Sequence, residues 1–162
     1  MRNKKVLFVA QAALIAAIYV VLTYFVSAFQ LASGAIQIRI SEALTILPFF
    51  TPAAIPGLTI GCFLSNLLTG CLPMDVLFGS VATLIGAVGS YWLRKIKWLV
   101  PLPPVVANTL IVPYVLAYVY GAEGSIPFFM LTVGIGEVIS CYVLGGILLN
   151  TLMPYRNILF KV

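Results

Sequence analysis

Glu137 is the residue whose chemical type is most at odds with its surroundings. It lies in the segment 127–150, which contains no other charged residue. A charge at the centre of a lipid-facing helix costs at least ~2.5 to 3.5 kcal/mol, so a carboxylate there must face protein, a ligand or water. The predicted helices carry no basic residue at this depth, so Glu137 needs a ligand, a proton or several hydrogen bonds. We take it as the strongest candidate for a functional residue.

A second group of polar residues occurs where apolar segments begin or end. Arg39 and Glu42 are three residues apart, a spacing that allows an ion pair on one helical turn. Alternatively, these two residues ring an opening on the outer face together with Asp75 and Asn66. Both interpretations remain open, and all four residues are candidate substrate contacts.

The balance of charge in this half of the chain predicts the chemistry of a ligand. Asn108 and Glu137 would form the floor of the site, although asparagine in a membrane helix equally often joins helices. Acids outnumber the single arginine near the site, which favours a ligand with N–H donors or positive charge, such as an amidine-like N–H pair facing a carboxylate. A phosphorylated ligand is disfavoured.

The composition determines which elements position these residues. Of the 162 residues, 62% are hydrophobic and 8% are charged, so the chain cannot cover its apolar surface as a soluble globule. A bilayer core needs ~20 apolar residues per helix, whereas membrane strands alternate polar and apolar positions. We therefore expect an all-α integral membrane protein, a single domain over 1–162 with six transmembrane helices. The predicted helices are 6–25, 40–50, 54–69, 74–93, 103–120 and 127–152.

The distribution of basic residues predicts the orientation of these helices. Cytoplasmic loops of membrane proteins are enriched in lysine and arginine. Most of the basic residues form three clusters that six spans would bring to one side, which places both termini in the cytoplasm. We therefore expect no nucleic acid as a partner. The clusters are Arg2, Lys4 and Lys5; Arg94, Lys95 and Lys97; and Arg156 and Lys161.

Small residues recur at helical spacing in several predicted helices. In the third and fourth helices they predict close internal packing. In the first helix, Ala12, Ala13, Ala16 and Ala17 form two overlapping Ala-x-x-x-Ala pairs, which serve either internal packing or docking of another membrane protein.

Catalytic and metal-binding motifs are scarce. The chain has no histidine and three unevenly spaced cysteines, so neither a zinc site nor a disulfide framework is expected. It lacks a nucleophile elbow and a phosphate loop. We expect no enzyme activity, no metal and no cofactor, and transport by this chain would need energy from a partner or an ion gradient.

Three segments resemble one family of membrane proteins. They are Gln37-Ile-Arg-Ile-Ser-Glu-Ala-Leu-Thr-Ile-Leu-Pro48, Ala54-Ile-Pro-Gly-Leu-Thr-Ile-Gly-Cys62 and Asp75-Val-Leu-Phe-Gly-Ser-Val-Ala-Thr-Leu84. With Asn66, they resemble the QueT family, the substrate-binding S components of energy-coupling factor (ECF) transporters, assigned to the uptake of queuosine precursors.

The resemblance implies a six-helix binding subunit in the bacterial plasma membrane. Such a subunit captures a 7-deazaguanine derivative from outside and docks on a transmembrane coupling subunit that carries two ATPases. The first helix of the class uses an Ala-x-x-x-Ala motif for docking, which Ala12 to Ala17 match. The loop 27–37 would act as a lid over the cavity.

Two other hypotheses remain. An autonomous proton-coupled carrier would use Glu137 as a group that titrates in each cycle. A structural assembly factor would bind no ligand at all.

Overall fold

The computed structural model describes residues 4–28 and 38–160, and throughout these residues the regular structure is helical. The predicted lid 27–37 lies almost entirely outside the described residues, as do Arg2 and Lys161. The α-helices are α1 (Lys4–Ala28), α2 (Ala54–Leu68), α3 (Pro73–Trp92), α4 (Leu102–Tyr118), α5 (Ile126–Glu137), α6 (Gly145–Leu152) and α7 (Arg156–Leu159). A 3-10 helix, Ile40–Phe49, connects α1 to α2, and a π-helical segment, Val138–Leu144, connects α5 to α6.

Four helical segments are long and apolar enough to cross a membrane. They are Lys4–Ala28, Pro73–Trp92, Lys97–Tyr118 and Ile126–Leu159. The 3-10 helix and α2 are apolar but shorter. The prediction of an all-helical membrane protein is therefore confirmed, and the predicted helix ends agree with the structure to within about three residues.

The prediction of an α-helix over 40–50 was wrong in type. The structure has a ten-residue 3-10 helix there, with Pro48 near its end. The 3-10 geometry rises ~2 Å per residue, so these ten residues reach further than the α-helix we expected. Every residue from Ser41 to Pro48 is buried. A helix that is buried on all sides lies inside the protein rather than against lipid.

The prediction of one helix over 127–152 is confirmed, because a continuous helical segment covers Ile126–Leu159, but this segment is not α-helical throughout. The α-helical hydrogen bonds give way immediately after Glu137 to a π-helical segment, in which the N–H of Gly145 donates to the carbonyl of Ser140. Such wide turns are rare and occur frequently at functional sites. The 3-10 helix packs directly against this segment, so the two irregular helices meet inside the molecule.

The helices α1 and α2 pack closely against each other. A Cβ built at Gly61 would lie 2.8 Å from the Cβ of Tyr19, and one at Gly57 would lie 2.8 Å from the carbonyl oxygen of Ala12. Neither distance is compatible with a larger residue. The prediction that small residues serve internal packing is confirmed here, because glycine has no side chain and so lets the backbones of α1 and α2 approach closely.

Apart from the buried Glu42 and Glu137, the charged residues named here divide between the two ends of the helix bundle. Near one end, Gln11 donates to the carbonyl of Leu159 at 3.1 Å, and Lys97 donates to Asn150 at 2.5 Å. These bonds bring together the start of α1, the α3–α4 loop and the C-terminal segment. We call this the basic end, since Lys4, Lys5, Arg94, Lys95, Lys97 and Arg156 lie in or near these three segments. Arg39 and Asp75 belong to the opposite end.

Candidate functional site

Glu42 lies at the centre of a buried polar network. Its side chain comes from the first turn of the 3-10 helix and is 0% exposed. The hydroxyl of Tyr19, from α1, donates to its Oε1 at 2.5 Å. The Nε of Arg39 lies 3.9 Å from the same oxygen. The predicted Arg39–Glu42 ion pair is thus confirmed, but Glu42 lies deeper than the opening we expected it to ring.

Glu137 lies beside this network at the junction of α5 with the π-helical segment. The Cys141 thiol donates to its Oε2 at 3.4 Å, and Thr45 on the 3-10 helix donates to Cys141 Sγ, also at 3.4 Å. Atoms of Glu42, Glu137 and Cys141 all lie within 4.8 Å of one another. We call the four buried residues Tyr19, Glu42, Glu137 and Cys141 the acid floor.

The donor atoms of the acid floor are close enough to surround a cation, but their bonding favours another role. Glu42 already pairs with a guanidinium and a phenol, and the Cys141 thiol acts as a hydrogen-bond donor. A metal ion would need the thiolate form of this cysteine and would lie close to the charge of Arg39. The arrangement is better suited to accepting N–H groups from an organic ligand.

A polar cavity of about 200 Å³ opens next to Arg39. It brings together three of the sequence-predicted residues, Arg39, Asn66 and Asp75. Nη2 of Arg39 donates to Oδ1 of Asn66 at 3.2 Å. The remaining lining residues are Thr23, Val26, Ser27, Ser41, Thr69 and Cys71. Because Arg39 contacts both this cavity and Glu42, it links the cavity to the acid floor.

Asn108 is the sixth predicted site residue, and it lies 2% exposed on α4. Its side chain neighbours the Glu137 carboxylate, yet its Nδ2 has no hydrogen bond of normal geometry among the described residues. Oε2 of Glu42 and Oγ of Ser140 are likewise buried without a partner there. Buried polar atoms are normally satisfied, so this region retains unused donors and acceptors.

Three of the larger hollows elsewhere in the described residues are apolar. Grooves of about 550, 520 and 570 Å³ are lined almost entirely by aliphatic side chains. Surfaces of that kind are expected wherever helices face lipid. The polar cavity is smaller, but it alone among the described cavities combines a guanidinium, an amide and a carboxylate, the convergent polar groups that orient a small ligand.

The four alanines predicted to dock a partner divide between two faces of α1. Ala16 is buried and lies against Gly61 of α2, and Ala12 contacts Gly57. Ala13 and Ala17 are exposed. The second pair alone remains free to contact another protein.

Sequence reasoning missed Tyr19, Cys141 and Tyr120. Tyr19 and Cys141 are 0% exposed, and Tyr120 donates to Oδ2 of Asp75 at 2.8 Å. Cys141 stands four residues after Glu137, one helical turn away, a spacing that could have identified it. Tyr19 lies among apolar residues of α1, and only the fold brings it to Glu42.

Comparison with known proteins gives two matches. A profile of the QueT transporter family matches residues 9–154. The queuosine precursor transporter QueT of Lactococcus lactis subsp. cremoris (strain MG1363) is 36% identical over 85 residues, 52% of this chain and 50% of that protein. The alignment with this curated relative thus spans about half the length of each. No solved structure matches.

Proposed function

Because this chain belongs to the QueT transporter family and is a multi-pass cell-membrane protein, we propose that it captures a queuosine precursor, a 7-deazaguanine derivative. The relative from Lactococcus lactis carries the name of a queuosine precursor transporter. The observation that carries the proposal is the pair of buried carboxylates, Glu42 and Glu137, next to a polar cavity. A guanine-like ring presents adjacent N–H groups that a carboxylate accepts.

The ligand contacts in this proposal are Glu137, Glu42, Asn108, Arg39, Asn66 and Asp75. The first three supply hydrogen-bonding atoms in or beside the acid floor. Oε2 of Glu42 and Nδ2 of Asn108 have no partner among the described residues. The last three line the polar cavity. A flat ring with a carbonyl flanked by N–H groups would match one amide donor and two carboxylate acceptors.

The proposed topology has six spans with both termini in the cytoplasm. Four long helices suffice for four spans, and the 3-10 helix with α2 would complete the six. The positive-inside rule assigns the basic end to the cytoplasm, which turns the polar cavity outward. The exposed side chains of Trp92, at the end of α3, and Trp98, within the α3–α4 loop, fit aromatic residues at a membrane interface.

The proposed mechanism is that of an ECF S component. The sequence has no phosphate loop, so ATP hydrolysis would be performed by two ATPases on a transmembrane coupling subunit. Ala13 and Ala17 would form the docking face for that subunit, because they are the exposed half of the alanine pattern. Small residues let a partner helix approach closely in lipid.

Reconstitution of the purified chain tests the mechanism against the alternative of a proton-coupled carrier. We expect the chain alone to bind a 7-deazaguanine in detergent and to give no uptake into proteoliposomes. Uptake by the chain alone, driven by a pH gradient, would instead establish the carrier. Absence of binding to any 7-deazaguanine would overturn the proposed substrate.

The docking face is tested by enlarging one exposed alanine. Ala17→Leu should reduce co-purification with the coupling subunit while leaving ligand binding unchanged. The matched control is Val81→Leu, on α3 rather than α1, at a residue that is 39% exposed. Wild-type assembly of Ala17→Leu would exclude Ala17 from the interface.

A further inference from the structure

Asp75 occupies a defined position at the edge of the polar cavity. It lies in the first turn of α3, where the helix dipole favours a negative charge. The hydroxyl of Tyr120, from the segment after α4, donates to its Oδ2 at 2.8 Å. The same hydroxyl accepts a hydrogen bond from the N–H of Leu72 at 3.3 Å. The carboxylate is thereby held in one orientation by two different elements.

The charges around the cavity are unevenly compensated. Arg39 is engaged by Glu42 at 3.9 Å and by Oδ1 of Asn66 at 3.2 Å. Asp75 forms no ion pair among residues 4–28 and 38–160, although it lines the same cavity. Asp75 therefore lines the cavity as a carboxylate that no cation of the described residues pairs with.

The depth of Asp75 also separates it from the acid floor. Glu42 is 0% and Glu137 is 6% exposed, whereas Asp75 is half-buried and its partner Tyr120 is 43% exposed. A ligand whose ring reached the acid floor would still present its substituent to the wetter edge of the cavity. The substituent and the ring would thus contact different carboxylates.

We infer that Asp75 binds a protonated primary amine on the substituent of the 7-deazaguanine ligand, and so determines selectivity for amine-bearing precursors. This inference rests on the proposed function, because it assumes that a 7-deazaguanine occupies the site. An ammonium donates up to three hydrogen bonds, and a bond between two charged groups is about twice as strong as a neutral one. A neutral substituent would give Asp75 no cationic partner, which disfavours that ligand.

The test compares two ligands of nearly equal shape. The probes are 7-aminomethyl-7-deazaguanine, which is cationic at neutral pH, and its neutral analogue 7-hydroxymethyl-7-deazaguanine. We expect Asp75→Asn to weaken binding of the aminomethyl ligand by roughly 10- to 100-fold, the range of a lost hydrogen bond between charged groups. Binding of the hydroxymethyl ligand should change by less than about threefold, which also shows that the variant is folded.

The control variant is Glu123→Gln, which removes an exposed acid from the α4–α5 loop, close to Tyr120 in sequence, without touching the cavity. It should change neither affinity, even though it alters the net charge equally. An equal effect of Asp75→Asn on both ligands, or no effect on either, would overturn the inference while the proposed function stands. Failure of the wild-type chain to bind either ligand would overturn the proposed function itself, and the inference with it.

Discussion

The acid floor and the Asp75–Tyr120 pair are built from the same chemical groups at different depths. In each, a tyrosine hydroxyl donates to a carboxylate, at 2.5 Å for Tyr19 and Glu42 and at 2.8 Å for Tyr120 and Asp75. Tyr19 is 0% exposed and Tyr120 is 43% exposed. Water can therefore replace the hydrogen bond between Tyr120 and Asp75, but not the one between Tyr19 and Glu42.

This difference in exposure determines how much each hydrogen-bonded pair contributes to the stability of the fold. A buried polar group that loses its partner costs the full desolvation penalty, whereas an exposed one is solvated again. The acid floor should therefore carry stability as well as ligand binding. The Asp75–Tyr120 pair should affect selectivity with little effect on stability.

The largest expected effect is that of Glu42→Ala. This change leaves the Arg39 charge and the Tyr19 hydroxyl without their common partner. Breaking a buried ion pair costs ~3 to 5 kcal/mol, and we expect about 3 kcal/mol because the Arg39 side chain is 24% exposed. Chemical or thermal unfolding in detergent measures the loss. A variant as stable as the wild type would show that the acid floor does not stabilise the fold.

Glu137→Gln should act mainly on the ligand. Loss of a hydrogen bond to a charged group weakens binding by about 1.5 to 3 kcal/mol, or roughly 10- to 150-fold in Kd. Isothermal titration with a 7-deazaguanine measures it. Asn150→Ala, on α6 near the basic end, provides a control that should bind as the wild type does. Unchanged affinity of Glu137→Gln would remove Glu137 from the site.

Tyr19→Phe isolates the buried hydrogen bond without changing the packing of the ring. Oε1 of Glu42 loses its phenol donor, which should cost about 1 to 3 kcal/mol of unfolding free energy. Tyr24→Phe is the matched control, because Tyr24 lies on the same helix and is 61% exposed. Equal losses of unfolding free energy in both variants would show that the buried hydrogen bond of Tyr19 contributes no more stability than the exposed hydroxyl of Tyr24.

The sequence predicted the helices well because apolar length and interruption by turn residues are local properties. It identified Glu137 because a lone acid in an apolar segment is visible without a structure. It did not predict the π-helical segment after Glu137 or the 3-10 geometry of Ile40–Phe49. Both depend on how the two segments pack against each other, which is a tertiary property.

The site was predictable in its acids and not in its tyrosines. Charged residues in lipid are rare enough to attract notice, but a tyrosine suits both a membrane interface and a buried network. Tyr19 and Tyr120 were therefore indistinguishable by sequence from the chain's other tyrosines. Only the approach of α1 to the 3-10 helix, and of the segment after α4 to the start of α3, assigns their partners.

The smallest expected effect is that of Tyr120→Phe, which should change the unfolding free energy by no more than about 0.5 kcal/mol, since water can solvate Asp75 in its place. Partial burial and the hydrogen bond to Asp75 raise the pKa of the Tyr120 phenol above its usual value. A raised pKa means that the protonated donor is fully present below about pH 10 and is lost only at higher pH. The stability difference between wild type and variant should therefore stay constant from pH 6 to about pH 9. A difference that disappeared within this range would show that Tyr120 ionises near neutral pH and does not hold Asp75.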